Sequence, residues 1–358
     1  MKKICLCVFL ITSSIIGAGF ASGRELSLFF AEFGYASLYF LPIVFILFYY
    51  CFKMFLIIGS RRHFENILDV NKQINCSIFF NITIIAIFLI YAAAMFSGAV
   101  EVLSSNLIEV PTFVFHIMIF IISFFVLRTG LKGLYKINII LIPLVILLLI
   151  IYSVYSTLNP VTDISYIPSS VNAYILPVSI IIYVAGNMLL SYYILIQAGK
   201  DLNERQIKIV SFGATSIICF VILICIICLI TNGAVVMNAS MPFVLLTLRL
   251  GEPFPILFMF VLFLGIITSL FTALHTVNSI FKSGQKNKTP LLCCSAVLLI
   301  SLIGFEKIVN YCYPLIGFFG IILILKFFHI EFSLDLGLKT NKAGKHSVNN
   351  FKDYHLKR

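Results

Sequence analysis

Apolar residues in this chain neither alternate nor recur every third or fourth position; they run on. Continuous apolar stretches lie near residues 4–33, 36–58, 78–104, 111–127, 134–156, 172–197, 207–231, 253–281, 290–304 and 310–329. A helix needs about 20 such residues to cross a hydrocarbon layer of about 30 Å. Unbroken apolar runs exclude a transmembrane β-barrel, whose strands alternate lipid-facing and lumen-facing positions. The pattern predicts an all-α polytopic membrane protein with ten transmembrane helices.

The first stretch departs from a plain span. It contains Ser13-Ser14-Ile-Ile-Gly17-Ala18-Gly19-Phe-Ala-Ser22-Gly23-Arg24-Glu25. One helix from Ile4 to Phe33 would be roughly 45 Å long, well beyond the hydrocarbon thickness. Gly17, Gly19 and Gly23 nominate a break. Backbone groups freed at membrane depth are tolerated only where they line a cavity or meet a ligand. Gly19 and Gly23 also match GxxxG, so helix packing is the plainer alternative. Arg24 and Glu25 are costly near the membrane unless they face water or a partner.

The ten segments divide into repeat one, 1–156, and repeat two, 172–329, joined by a polar linker over Thr157–Val171. Five spans is an odd number, so the second half enters from the opposite face. This predicts a five-plus-five inverted repeat. Helix 6 reads Pro177 through Tyr183, Ala185, Gly186 and Asn187 to Ser191. Its Gly186 corresponds in position to Gly17, so helices 1 and 6 are both expected to be broken. Met241–Leu250 is apolar but too short to span, and reads as a helix lying in a vestibule.

Composition sharpens this picture. Of 358 residues, 61% are hydrophobic and 11% charged, with mean hydropathy +1.09. Residues 1–330 read as a single transmembrane domain with no room for a second folded unit. Residues 331–358 read as a basic, disordered cytoplasmic tail. With the N-terminus inside, all of the 25 Lys and Arg except Arg24, Arg249 and Lys307 fall on the cytoplasmic side. The positive-inside rule then places both termini in the cytoplasm and the chain in the cell membrane. The net charge of +11 reflects topology and anionic lipid, not nucleic acid. Lys2-Lys3 followed by apolar residues and Gly19-Phe-Ala also resembles a secretory leader, whose removal would leave nine spans.

The chemistry on offer is sparse. The ten Cys sit mostly in apolar runs without metal-ligand spacing, and no metal site is expected. Metalloprotease, nucleophile-elbow and Walker signatures are missing. No enzyme, no catalytic residue and no cofactor is expected. Thr268, Ser269 and Thr272 offer hydroxyl oxygens of the kind a hard cation takes, although such groups often bond their own helix. His275, His116 and Glu101 are alternative proton carriers. Sodium or protons are the candidate coupling ions.

Ile16-Gly-Ala-Gly-Phe-Ala-Ser-Gly-Arg-Glu25, followed by Phe29-Phe30 and Phe33-Gly34, resembles the opening of the YkvI-like bacterial membrane proteins. That family is similar to the amino acid–polyamine–cation transporter superfamily, with its LeuT-type fold. The resemblance implies a substrate held between broken helices 1 and 6, against Gly17, Ala18, Gly19 and Ser22 and against Tyr183, Ala185, Gly186 and Asn187. It makes Tyr91 a wall or hydroxyl contact. It implies sodium near the Ile16 carbonyl, Thr268 and Ser269, with Thr272 adjacent. Ile16 stands where sodium-coupled relatives carry Asn, which speaks against a second sodium site. Helix termini that attract a carboxylate and an ammonium suit a zwitterion. The expected function is alternating-access secondary transport of a small amino acid or amine-like solute. The alternatives are a receptor or sensor that binds such a solute without transport, and a membrane scaffold assembled through GxxxG. Arg24, Glu25 and Glu306 are the candidate outer gate.

Overall fold

The structure is a computed structural model and describes residues 2–62, 64, 67–73, 78–106, 110–129, 134–160, 173–251, 253–280 and 288–354. Its regular structure among these residues is helical throughout. The first apolar segment is shared by α1 (Lys2–Ile15), α2 (Ala18–Ser22) and α3 (Arg24–Phe29). A 3₁₀ turn and α4 (Ala36–Tyr39) lead into α5 (Leu41–Arg61), followed by α6 (Ile67–Gln73) and α7 (Ile78–Asn106). Then come α8 (Thr112–Thr129), α9 (Leu134–Leu158), α10 (Leu176–Gly199), α11 (Glu204–Met237) and α12 (Pro242–Thr247). The chain ends with α13 (Phe254–Ile280), α14 (Lys288–Ser301) and α15 (Phe305–Tyr354).

Among the described residues, seven helices are long and apolar enough to cross a membrane, and three shorter apolar helices run over Lys3–Ile15, Thr112–Arg128 and Lys288–Ser301. Large apolar side chains such as Ile46, Phe79, Phe125, Leu147, Phe260 and Phe318 face outward. Such a surface belongs in lipid rather than water. The chain is therefore a polytopic helical membrane protein in contact with the bilayer. Most of the predicted linker lies outside the described residues. α15 runs on as helix to Tyr354.

Helix 6 corrects the sequence reading. It corresponds to α10, which runs unbroken from Leu176 to Gly199. The physical reason is α15. A Cβ added at Gly317 would collide with the Ile182 carbonyl oxygen, and one at Gly320 with that of Ala185. A Cβ added at Gly186 would come within 3.3 Å of the Gly317 backbone. These glycines let two backbones meet at van der Waals distance. Gly186 serves that approach and opens no gap in the helical ladder. On its other side α10 meets α5 in the same way, through Gly59 and Gly199. A kink lies instead at Gly233 in α11, where φ is 77° and ψ is −173°.

Held between α5 and α15, α10 also packs on α1, while α13 packs on α7 and α9. Elements from both halves thus surround the break in the first segment.

Candidate functional site

The break falls where the glycines nominate it. The α1 ladder ends with Ile16 N–H donating to Thr12 O at 2.9 Å, and Gly17 is extended at φ −91° and ψ −167°. A Cβ at Gly17 would come within 3.0 Å of Tyr91 Oη, so closeness rather than φ calls for glycine here. Gly23 ends α2 in the left-handed region at φ 89°, where glycine carries no Cβ penalty. Phe243 of α12 closes over it.

Unbroken α10 bridges the break. Ser191 Oγ donates to the Ser14 carbonyl at 3.0 Å, and Ser179 Oγ donates to the Phe29 carbonyl at 3.0 Å. One helix therefore holds both ends of the interrupted one. Each hydroxyl satisfies a backbone carbonyl of the interrupted segment.

A cavity of about 20 Å³ lies beside the break, lined by Ser14, Gly17, Glu25, Tyr91, Tyr183, Gly186, Asn187 and Tyr313 among others. The predicted residues Gly17, Tyr91, Tyr183, Gly186 and Asn187 are thus brought together. The rest of the predicted substrate set sits differently. Ser22 Oγ donates to Gly19 O at 3.0 Å and accepts from Arg24 N–H at 3.3 Å, which pins the turn at Gly23. The Ala185 carbonyl faces Gly320 of α15. Gly19 lies against the Glu25 carboxyl, where a Cβ would collide with Oε1. Ala18 opens α2, and its side chain lies outside the described residues.

A second cavity of about 20 Å³ collects Ser13, Ile16, Gly17, Gly265, Thr268 and Ser269. Thr268 Oγ1 and Ser269 Oγ both donate to the Gly265 carbonyl, at 2.9 and 3.0 Å. A hydroxyl that donates its proton backward keeps lone pairs for another partner. Thr272 does not join this cavity. It donates to Thr268 O at 2.8 Å and lines a third space of about 60 Å³ with Leu10, Ser13, Ser14, Tyr91 and Thr276. That third space shares Ser14 and Tyr91 with the first.

Arg24 lines none of these spaces; it closes α3 onto α11 and α15. Its Nη2 donates to Glu306 Oε1 at 3.1 Å, and Nε donates to Asn310 Oδ1 at 3.0 Å. Nη1 donates to the carbonyls of Met237 and Ala239, at 3.0 and 3.2 Å. The kink at Gly233 precedes those carbonyls, and Glu101 on α7 accepts from Ser240 beside them. Glu25 is not part of this closure, contrary to expectation. Successive helical residues point about 100° apart, so once Arg24 faces α11 and α15, Glu25 faces the cavity. Among the described residues no hydrogen bond links Glu101, His116 and His275; His116 Nδ1 meets the Thr112 carbonyl at 2.9 Å instead.

Sequence reasoning missed Ser14, Tyr313 and Asn310. Asn310 had a signal, since it lies one helical turn after Glu306 and shares its face. Tyr313 had none. The chain is similar to the "Uncharacterized membrane protein YkvI" of Bacillus subtilis (strain 168). The two are 22% identical over 331 residues, covering 88% of this chain and 92% of the relative. No family model matches the chain. The likeness extends over nearly both full lengths and supports a membrane protein of the same broad kind.

Proposed function

We propose that this chain is a secondary transporter that moves a small amino acid or amine-like solute by alternating access. The reading rests chiefly on one observation: the interrupted first helix borders adjoining cavities. Free backbone groups at membrane depth are expected at a solute site. The solute occupies the cavity around Gly17, Tyr91, Tyr183 and Asn187. The five-plus-five inverted repeat supplies two bundles that rock about it, with α10 as the unbroken counterpart of the interrupted helix. Both termini are cytoplasmic, so the Arg24 closure is the outer gate and the conformation is closed to the outside. The Ile16 carbonyl with Thr268 and Ser269 forms the sodium position.

Counterflow in proteoliposomes tests this. Vesicles preloaded with unlabelled amine or amino acid should accumulate the labelled form, more so with sodium outside. Binding without any counterflow would replace transporter by sensor.

A further inference from the structure

Glu25 is the buried carboxyl that the sodium position and the gate leave unused. It is 5% exposed and lines the cavity beside the helix break. Among the described residues it has no hydrogen-bond partner and no counter-ion. The neighbouring cation cannot serve it, because Arg24 is engaged by Glu306, Asn310 and two carbonyls. No Lys, Arg or His lines this cavity among the described residues. What does line it is hydroxylic and aromatic. The buried hydroxyls of Tyr183 and Tyr313 have no partner among the described residues, and the rings of Tyr91 and Tyr313 lie 6.4 Å apart.

An ionised carboxylate in such a place is expensive unless a cation meets it. Tyrosine faces add attraction for an ammonium group, and hydroxyls accept its remaining N–H donors. A solute carboxylate would find no cationic side chain here and would confront Glu25. We infer that Glu25 is the ammonium-binding group of this cavity, and that its ligand is a small primary-amine cation held between the carboxylate and the tyrosine rings. The inference rests on the reading of this cavity as the solute site. It narrows that reading from amino acids and amines to the amine end.

The test is thermal unfolding of the purified full-length protein with ethylammonium, alanine or propionate as probe, since a ligand of the folded state raises Tm with concentration. Ethylammonium should raise Tm and propionate should not. Glu25→Gln should raise the half-saturating ethylammonium concentration at least about 10-fold, the scale of a lost charged hydrogen bond. Glu25→Asp should keep part of the response, which guards against a variant that merely misfolds. Gly19→Ala keeps the carboxyl but must displace it, and should weaken binding as well. An ethylammonium response equal in wild type and Glu25→Gln overturns the inference. So does a response to propionate, or none to ethylammonium. Counterflow separates the two readings. Glu25-dependent ethylammonium binding without counterflow sinks transport alone. Counterflow of any solute untouched by Glu25→Gln sinks the inference alone.

Discussion

Arg24 and Glu306 stand 282 positions apart in sequence and meet at 3.1 Å. The two sides of the pair are unequal. The Arg24 side chain is 9% exposed and the Glu306 side chain 47%. Removing Arg24 leaves buried carbonyls at Met237 and Ala239 without a donor, whereas removing the Glu306 charge leaves Arg24 with three other acceptors. Arg24→Ala should destabilise by roughly 2–4 kcal/mol. Glu306→Gln should cost about 1 kcal/mol or less. Thermal unfolding of the two variants under one condition checks the ranking, and equal losses would contradict it.

If the same pair gates the site, charge reversal disables it from either side. Arg24→Glu and Glu306→Arg should each lower solute exchange, and the double exchange should restore part of it. Full restoration is not expected, because a glutamate at 24 would face the two carbonyls that arginine now satisfies. No gain of the double variant over either single would argue against gating by this pair.

Gly17 and Tyr91 form a separable steric pair. The Cβ of Gly17→Ala would meet Tyr91 Oη at 3.0 Å. Gly17→Ala should lower solute affinity, and adding Tyr91→Phe should relieve the crowding. The two changes should therefore be non-additive by about 0.5–3 kcal/mol, the usual range for residues in contact. Additive losses in a binding titration would show that the two side chains act apart.

The meeting of α10 and α15 predicts a graded glycine series. Gly317→Ala and Gly320→Ala drive a methyl into the backbone carbonyls of Ile182 and Ala185. Neither carbonyl can rotate away, so each change should cost about 1–3 kcal/mol of overpacking. Gly265→Ala meets nothing nearer than Leu141 Cδ2 at 3.9 Å. It should be neutral or slightly stabilising as a helix substitution. Unfolding temperatures in that order would support the packing account; equal values would not.

Thr268 and Ser269 both donate to the Gly265 carbonyl of their own helix, and Ser269 also hydrogen-bonds the Tyr91 hydroxyl of α7. Converting both to Ala should cost only about 1 kcal/mol, the scale of the one hydrogen bond to Tyr91 that is lost. The sodium position predicts that this double variant nevertheless loses any sodium dependence of ligand binding. Sodium dependence that survives would place the ion elsewhere.

The break around Gly17 and Gly23 was legible because it is a local matter: an apolar segment too long for one span, with glycines near its middle. Tyr91, Thr268 and Ser269 were named through the family resemblance, and the structure places them along cavities beside the break. Gly186 was misread because a mid-helix glycine has two physical uses. It can open a helix or let another helix approach. The neighbour that decides, Gly317-Phe-Phe-Gly320, lies far along the chain. Glu25 was misread for a similar reason. Adjacent charges suggest one shared role, but α3 turns them to different surroundings.

By itself, the sequence determined the consequences of composition and length. Continuous apolar runs must become helices in lipid, because hydrocarbon satisfies no backbone group. An overlong first segment must tilt, leave the membrane or break, and its three glycines nominate the break. Only the tertiary structure decided where each polar group is spent. It closed Arg24 onto carbonyls after the Gly233 kink, kept α10 whole against α15, and left Glu25 facing a cavity beside the break. Those outcomes depend on which helix lies within a few ångströms of which. That proximity comes from close packing between distant segments, and no periodicity within one segment encodes it.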